Sequence, residues 1–283
     1  MTLRRNTNGV TVVTGAARGI GLAVARRLGR TSSHLLITDI DGAALEDAAH
    51  DLRSEGLQVR ALPADLTSPA AAADLGSAAD ELGQWSNLVH CAGLAPFMTE
   101  DSDHMLRVNL LSTAQLLDTF EKRLTGGEVA VCIASISAYR TLPATIDADL
   151  IDPTAGDFLE RLCNTVAYHA NPRLTYAISK RGVQVMCQER AKRWGRAGSR
   201  IVSVSPGGAD TRMAARSPLR GDDTAFGRRA DPDEIATVVE FLTTPAASYI
   251  TGSDILVDGG ARANYLHHAE PAKRAKWLDA TSS

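Results

Sequence analysis

A tyrosine and a lysine one helical turn apart are the first residues in this sequence whose spacing could do chemistry. Tyr176 and Lys180 lie in RLTYAISKRG, a segment whose pattern predicts a helix. Residues four positions apart share one face of a helix, so the two side chains would be neighbours. An isolated tyrosine has a pKa of about 10, and a nearby ammonium lowers it by favouring the phenolate. The pair therefore fits proton transfer, although most pairs at this spacing are only neighbours on a solvated helix face.

A glycine-rich turn near the amino terminus could hold a phosphate group. The apolar segment VTVVTG runs directly into TGAARGIG, which places Gly15, Gly19 and Gly21 between a predicted strand and a predicted helix. Glycines let the backbone approach a pyrophosphate, and a helix N-terminus supplies unpaired N–H groups. The spacing matches neither GxGxxG nor the P-loop pattern. Taken alone, the turn fits a simple tight turn equally well.

Acidic residues follow the second and third predicted strands. HLLITDID places Asp39 near the position, about 20 residues past the glycines, where an acid bonds the adenosine ribose. A carboxylate there repels a 2′-phosphate and favours NAD, whereas Arg18 in the glycine turn argues for NADP. We give Asp39 more weight because it would face the ribose itself; the alternative is that Asp39 caps the next helix. Asp65, in PADLTS, suits an adenine edge, although helix capping by the residues that follow explains this stretch equally well.

The elements that position these residues alternate regularly between short apolar strands and longer segments with helical periodicity. The alternation predicts seven strands in one α/β domain, because each parallel connection needs a crossover helix. The expected fold is a single-domain Rossmann fold over residues 1–283: a doubly wound, seven-stranded parallel sheet with helices on both faces. The carboxyl ends of parallel strands line the ligand crevice, so the glycine turn, Asp39, Asp65 and Gly93 should meet at one edge.

Composition excludes several classes of function. The 283 residues are 44% hydrophobic and 22% charged, which is typical of soluble globular proteins. A net charge of -3 gives no electrostatic argument for nucleic acid or for an anionic membrane. The amino terminus lacks a signal-peptide pattern, and no apolar run approaches the roughly 18 residues of a membrane span. We therefore expect a cytoplasmic protein with neither a nucleic-acid nor a membrane partner.

The cysteines and histidines give no sign of a metal site. The four cysteines are scattered without a CxxC spacing, and the histidines show no HExxH pattern. We therefore expect no disulfide framework and no catalytic metal.

Seven motifs in order resemble those of the short-chain dehydrogenases/reductases. They are TGAARGIG, Asp39, CAG, Asn109, the serine of IASISA, YAISK and PGGADTRM, and they extend from about Val10 to Gly260. The resemblance implies a nicotinamide cofactor, which Asp39 suggests is NAD, and hydride transfer to or from an alcohol or ketone. One departure is Cys91, which replaces the asparagine of the NAG motif.

The resemblance also implies the roles of the catalytic residues. Tyr176 would be the general acid/base, and Lys180 would lower its pKa and hold the nicotinamide ribose. Ser135 would position and polarise the carbonyl, with Ser137 as a competitor for that role. Asn109 would support a proton relay through water to the lysine.

Cofactor contacts follow from the resemblance in the same way. The residues assigned to them are Gly15, Arg18, Gly19, Ile20, Gly21, Asp39, Asp65, Leu66, Gly93, Tyr176, Lys180, Pro206, Gly207 and Thr211. Substrate choice would lie with the loop Leu94–Asp101, with residues 140–172 and with the segment Met213–Arg229.

Residues 140–172 form an insertion before the predicted active-site helix. It carries five acidic residues against two arginines, and its apolar residues predict short amphipathic helices. A long segment here is similar to the branch that contains bacterial 3α-hydroxysteroid dehydrogenase/carbonyl reductase. In that branch the insertion obstructs a tetramer interface, which implies a homodimer here, with a tetramer as the alternative. We also hypothesise that the insertion forms a wall or lid over the substrate. The tail, residues 262–283, should be weakly structured in its last few residues.

The predicted function is NAD-dependent conversion of a secondary alcohol or ketone of apolar, steroid-like or alicyclic character. Two alternatives stay open at this point. One is an NADP-dependent 3-oxoacyl carrier-protein reductase. The other is a sensor or scaffold that binds the nucleotide without turning it over, for which the catalytic residues would have no use.

Overall fold

Seven parallel strands form the centre of the protein, in a computed structural model that describes residues 9–211 and 221–280. Their spatial order is β3-β2-β1-β4-β5-β6-β7. The strands are β1 Val10–Thr14, β2 His34–Thr38, β3 Val59–Ala61, β4 Trp85–His90, β5 Val129–Ile133, β6 Arg200–Pro206 and β7 Asp254–Val257. The order reverses between β1 and β4, and such a switch point opens a ligand crevice. The predicted doubly wound fold is confirmed.

Helices cover both faces of the sheet. They are α1 Gly19–Gly29, α2 Gly42–Ser54, α3 Ala71–Leu82, α4 Ser102–Leu106, α5 Ser112–Glu121, α6 Ile146–Asp149, α7 Phe158–Thr165, α8 Pro172–Arg196, α9 Pro232–Thr243, α10 Ala261–His267 and α11 Pro271–Leu278. A π-helical turn, Arg107–Leu111, joins α4 to α5. Among the described residues, no helix is both long and apolar enough to cross a bilayer.

Alternating residues of the strands fill two separate apolar cores. In β4, Leu88 packs in one core and Val89 in the other, and neither side chain is exposed to solvent. This follows from strand geometry, because successive side chains point to opposite faces of a sheet. The strands are therefore fixed from both sides, and their carboxyl ends form a rigid edge.

The helix that carries Tyr176 and Lys180 has a defined start. The side chain of Asn171 accepts a hydrogen bond from the N–H of Arg173 at 2.8 Å, and Pro172 occupies the first helical position. Both features favour helix initiation, since proline lacks an N–H that would go unpaired there. The helix then runs unbroken for 25 residues.

The insertion before α8 is helical, as predicted. It contains α6, α7 and a 3-10 turn at Tyr168–Ala170. Four of its apolar side chains, Ile146, Leu150, Phe158 and Leu162, are buried in the core cluster that α8 also enters. The insertion is therefore part of the main core on one face of the sheet.

The segment after Gly260 forms two further helices, α10 and α11. Tyr265 and Trp277 stack with their ring centroids 5.0 Å apart, and both pack with Ile136 in a small third cluster. Residues 281–283, where weak structure was predicted, lie outside the described residues. The rest of the tail is folded against the domain.

Candidate active site

A cavity of about 820 Å³ opens at the carboxyl ends of the strands. All fourteen residues that the resemblance assigned to cofactor binding line it, from the glycine turn to Thr211. Ser135 and Ser137 line it too, whereas Asn109 does not. The structure thus brings residues from six different strand ends into one site.

The glycine turn leaves backbone donors facing this cavity. Gly15 and Gly19 have φ angles of +64° and +58°, which side chains rarely tolerate. A Cβ at Gly15 would lie 2.7 Å from the backbone nitrogen of Ala92, so the turn packs closely against the end of β4. Arg18, the residue before α1, makes no side-chain hydrogen bond to the first N–H groups of that helix. These donors fit the pyrophosphate of a dinucleotide.

The carboxylate of Asp39 is held at the end of β2 by two backbone N–H groups. Its oxygens accept from Ala17 at 3.2 Å and from Asp41 at 3.1 Å. The residue that caps α2 is Asp41, which accepts from the N–H of Ala44 at 3.1 Å. The alternative in which Asp39 caps this helix is therefore wrong. Asp41 also pairs with Arg18, the cation that argued for NADP.

Two further groups line the nucleotide end of the cavity. The exposed Asp65 accepts hydrogen bonds from the Thr67 hydroxyl at 2.7 Å and the Thr67 N–H at 2.9 Å, which lower the pKa of its carboxyl. The hydroxyl of Thr38 is fully buried and has no partner among the described residues. A buried hydroxyl without a partner beside Asp39 is a further polar group that a bound nucleotide could satisfy.

Tyr176, Lys180 and Ser135 converge in the middle of the cavity. The buried ammonium of Lys180 donates to the carbonyl of Ile133 at 2.9 Å and lies 5.9 Å from the centre of the Tyr176 ring. Ser135 follows β5 and lies beside Tyr176, where its hydroxyl favours the phenolate. The Ser135 hydroxyl also accepts from the N–H of Ser137 at 3.1 Å. Of the two serines, Ser135 is thus the one that acts on the pKa of the Tyr176 phenol.

Burial controls the protonation of this group. It raises the pKa of Tyr176, and the neighbouring Ser135 hydroxyl opposes the shift only in part. Lys180 is not among the causes of this shift, so the predicted lowering of the Tyr176 pKa by Lys180 stays a prediction. Burial also lowers the pKa of Lys180 to about 8, against the opposing effect of the thiols of Cys91 and Cys132. At neutral pH the phenol of Tyr176 is therefore protonated, and Lys180 carries its positive charge in most molecules.

Asn109 lies behind the cavity wall, in the π-helical turn. Its amide oxygen accepts from the N–H of Leu94 at 2.7 Å, and its amide nitrogen donates to the Leu94 carbonyl at 2.9 Å and to Ser179 at 3.1 Å. A Cβ at Gly93 would lie 3.1 Å from the Asn109 amide oxygen and 3.3 Å from the Lys180 ammonium. Asn109 therefore ties the loop after β4 to α8, directly behind the lysine.

His90, at the end of β4, was missed by the sequence analysis. Its two ring nitrogens lie 2.8 Å from the hydroxyls of Thr14 and Thr113. The Thr113 hydroxyl itself donates to the carbonyl of Asn109 at 2.8 Å, so it accepts from Nε2–H of His90, and Nδ1 accepts from Thr14. Burial, assisted by the charge of Lys180, lowers the pKa of His90 to about 3. A neutral histidine thus links β1 to the start of α5.

The substrate end of the cavity is formed by loops and by the carboxyl-terminal helices. The loop after β4 contributes Leu94 to Met98, and α11 contributes Trp277, which the sequence analysis also missed. The insertion contributes Arg140, Asn171 and Pro172, which are all at its ends. These ends form part of the cavity wall, whereas the acidic body of the insertion does not line the cavity in the described part of the chain. The hypothesis that the insertion acts as a lid stays a hypothesis. In the segment Met213–Arg229, residues 213–220 lie outside the described residues.

Two acidic side chains of the insertion form ion pairs, one within the insertion and one with α8. Asp149 pairs with Arg161, and Asp147 pairs with Arg181 of α8. In the described ranges, no group of three His, Cys, Asp or Glu side chains could hold a metal ion.

Comparison with known proteins identifies the class. Residues 9–146 match the family model described as short chain dehydrogenase, and residues 162–262 match one described as enoyl-(acyl carrier protein) reductase. The 3-alpha-hydroxysteroid dehydrogenase/carbonyl reductase of Comamonas testosteroni is 31% identical over 272 residues, which cover 89% of this chain and 95% of the relative. The chain therefore belongs to the short-chain dehydrogenase/reductase family and is an oxidoreductase of that family.

Two further proteins are similar to this chain. The cis-4-hydroxycyclohexanecarboxylate dehydrogenase of Sinomonas cyclohexanicum is 32% identical over 257 residues, covering 89% of this chain and 95% of the relative. A short-chain dehydrogenase from Burkholderia cenocepacia, solved in complex with NADP, superimposes with a TM-score of 0.74 at 24% identity, covering 91% of this chain and 99% of that one. The fold alone does not choose between NAD and NADP.

Proposed function

We propose that the protein interconverts a secondary alcohol and its ketone with NAD as the hydride carrier. The observation that carries this proposal is the convergence of Tyr176, Ser135 and Lys180 on one cavity, where the serine lies beside the tyrosine. A non-catalytic nucleotide sensor would have no need of a buried lysine held behind a tyrosine. The substrate is alicyclic or steroid-like, because Phe97, Met98 and other apolar side chains line the cavity beyond the catalytic group.

Each catalytic side chain has a separate task in this reaction. When bound, the nicotinamide supplies or accepts the hydride. The phenol of Tyr176 gives its proton to the substrate oxygen during reduction and takes it back during oxidation. Ser135 donates a hydrogen bond that polarises the same oxygen. Lys180, which stays largely charged at neutral pH, holds the nicotinamide ribose through its remaining ammonium hydrogens.

The preference for NAD is supported by the acidic groups at the end of β2. Asp39 is held by two backbone N–H groups with its carboxylate at the cavity, where it would accept hydrogen bonds from ribose hydroxyls and repel a 2′-phosphate. Arg18 forms an ion pair with Asp41, so its charge already has a partner. An NADP-dependent 3-oxoacyl carrier-protein reductase is the alternative that this local charge disfavours.

A panel of substrates assayed with both cofactors tests the proposal. Steroids, terpenols and substituted cyclohexanols would be incubated with NAD or NADP, and the matching ketones with NADH or NADPH. We expect turnover of cyclic secondary alcohols, with kcat/KM higher for NAD than for NADP. Turnover only of 3-oxoacyl thioesters with NADPH would replace the proposal by the reductase alternative. Binding of NADH without turnover of any substrate would favour the sensor.

We also propose a homodimer, with a tetramer as the alternative. The support is the insertion, which packs beside α8 through the ion pair of Asp147 with Arg181 and through buried apolar side chains. In the branch that this chain resembles, a segment at this place obstructs one of the helix-bundle interfaces by which relatives form tetramers.

A further inference from the structure

Two arginines lie at the substrate end of the cavity, one on each side of the insertion. Arg140 begins the insertion and Arg173 follows its last residue, and both line the cavity that contains Tyr176. Arg173 and Tyr176 are three residues apart on α8, so they share one face and are separated by about 4.5 Å along the helix axis. The two ends of the insertion thus place a pair of cations in the cavity that contains Tyr176.

Neither guanidinium has a carboxylate partner within ion-pair distance in the part of the chain that the structure describes. The side chain of Arg173 has no hydrogen bond there, and Arg140 makes only a long one, 3.3 Å, to the carbonyl of Asp279. Nearby arginines of similar exposure do have partners, since Arg161 pairs with Asp149 and Arg181 with Asp147. Arg140 and Arg173 therefore both face the cavity without a carboxylate partner among the described residues.

The two charges oppose each other inside a half-buried site. Burial and then the charge of Arg173 lower the pKa of Arg140, while Tyr265 and Asp279 act in the opposite sense. The acidic side chains among the described lining residues are Asp39, Asp41 and Asp65, which follow β2 and β3 at the nucleotide end. Two like charges in such a place are stabilised when an anion lies between them.

The surroundings of the arginines are apolar. Ile136 and Trp277 are both almost fully buried and line the cavity together with Phe97 and Met98. A ligand that satisfies this end of the site has an apolar body and one anionic group. A guanidinium binds a carboxylate through two parallel N–H donors, and Arg is better suited to this geometry than Lys.

We propose that Arg140 and Arg173 form a carboxylate subsite, and that the substrate is an alicyclic secondary alcohol or ketone with a carboxylate remote from the reacting carbon. This inference rests on the proposed function, since it names the substrate class of the same site. The carboxylate would orient the substrate so that its hydroxyl or carbonyl oxygen faces Tyr176 and Ser135.

Matched charged and neutral substrates test the subsite. The activities of the wild-type protein, Arg173→Gln, Arg173→Lys and Arg140→Gln would be measured at pH 7 on 4-hydroxycyclohexanecarboxylate and on the corresponding primary amide. We expect the wild type to prefer the carboxylate. We expect Arg173→Gln to lower the carboxylate-to-amide ratio of kcat/KM by about 10- to 100-fold, as for the loss of a charged hydrogen bond, mainly through KM. Arg173→Lys should recover part of the ratio.

A control variant removes the same charge elsewhere on the same helix. Arg196 is exposed near the end of α8, about 35 Å from Arg173 along the helix axis, and Arg196→Gln should leave the ratio unchanged. Arg173 is the primary test position, because Arg140 also bonds the carbonyl of Asp279 and its replacement could loosen α11.

A binding measurement keeps failure of the subsite distinct from failure of the proposed function. Calorimetry with unreactive cyclohexanecarboxylate and cyclohexanecarboxamide, in the presence of saturating dinucleotide, reports on the subsite without turnover. We expect only the carboxylate to bind, and Arg173→Gln to weaken it by at least tenfold. The inference is overturned if the wild type binds or converts both compounds equally. It is also overturned if Arg173→Gln changes NADH affinity but not the carboxylate-to-amide ratio. Turnover of no alcohol or ketone, with selective carboxylate binding retained, would contradict the proposed function alone.

Discussion

Burial determines the protonation of three side chains around the active site: Tyr176, Lys180 and His90. The phenol is kept protonated, the imidazole is kept neutral, and the pKa of the ammonium falls to about 8. These directions depend on how much protein surrounds each group, and on hydrogen bonds between residues far apart in the chain. The spacing of Tyr176 and Lys180 predicted that they are neighbours on a helix, but it could not include the cost of desolvating the phenolate.

Replacement of His90 by glutamine should make the free energy of unfolding fall less steeply as the pH decreases. An unfolded histidine has a pKa of about 6.5. The folded value is about 3, so the unfolded state binds the proton first as the pH falls. His90 therefore contributes full stability above pH 6.5, and the free energy of unfolding then falls by about 1.4 kcal/mol per pH unit towards pH 3. Urea unfolding at pH 7.5 and pH 5 measures this slope.

The change in the pH dependence of stability should occur in the variant of the buried His90 and not in a variant of an exposed histidine. His90→Gln should be less stable than the wild type at pH 7.5 by about 1 to 3 kcal/mol, because two buried hydroxyls each lose a hydrogen bond. Its stability should then fall less steeply on acidification. His50→Gln, which changes an exposed residue of α2, should keep the wild-type slope. The same slope in His90→Gln and in the wild type would contradict the assignment.

At the scale of elements, α8 and the π-helical turn must approach closely to bring Asn109 behind Lys180. Gly182 of α8 permits this approach, because a Cβ there would overlap the fully buried side chain of Leu110. The π-helical turn is itself a common feature of functional sites, since it displaces one turn of a helix relative to the next.

Replacement of Gly182 by alanine should destabilise the protein although alanine favours helices. Helix propensity alone gives alanine an advantage of about 1 kcal/mol over glycine. Overlap with Leu110 in a close-packed core should cost about 1 to 3 kcal/mol more than that advantage, so we expect a lower midpoint in thermal and urea unfolding.

Gly195 gives the matched control in the same helix. A Cβ there would meet no atom within 4 Å, and its neighbourhood is exposed. Gly195→Ala should therefore stabilise the protein by about 0.5 to 1 kcal/mol. Equal effects of the two alanine substitutions would show that α8 is not in close contact with the π-helical turn.

The strands and the cofactor residues could be predicted from sequence because each depends on a local pattern. The apolar runs predicted all seven strands, and the glycine turn and Asp39 follow strand ends directly. The contacts of His90 with Thr14 and Thr113, and the place of Trp277 in the cavity wall, could not be predicted, since they join residues that are distant in the chain. For the His90 contacts, the sequence offered one indication: a polar residue at the end of the buried strand NLVHCAG.

At the scale of the whole molecule, the site is closed by segments that lie outside the regular strand–helix repeat. The ends of the insertion bring Arg140 and Asn171 to the cavity, and α11 brings Trp277. The isolated bridge between Thr141 and Asp279 links the start of the insertion to the end of α11. The insertion therefore influences both the substrate end of the site and the surface beside α8.

Light scattering coupled to size-exclusion chromatography tests the proposed homodimer. The chain has a mass of 30.0 kDa, and we expect the protein to elute with twice that mass at micromolar concentration. This expectation rests on the packing of the insertion beside α8, where the proposal places the obstructed interface. A species of four chains under the same conditions would contradict the proposal and favour the tetramer.

The central claim is that Tyr176 transfers the proton while the rest of the cavity holds the cofactor. The measurement that tests it most directly compares turnover and NADH binding in Tyr176→Phe, with Tyr249→Phe, which changes a fully exposed tyrosine, as the control. We expect kcat of Tyr176→Phe to fall by about 100- to 10,000-fold, the contribution of a positioned general acid/base. NADH affinity, followed by fluorescence, should stay within about twofold of the wild type, since the fit of the dinucleotide rests chiefly on the glycine turn and Asp39. Turnover of Tyr176→Phe within tenfold of the wild type would contradict the account.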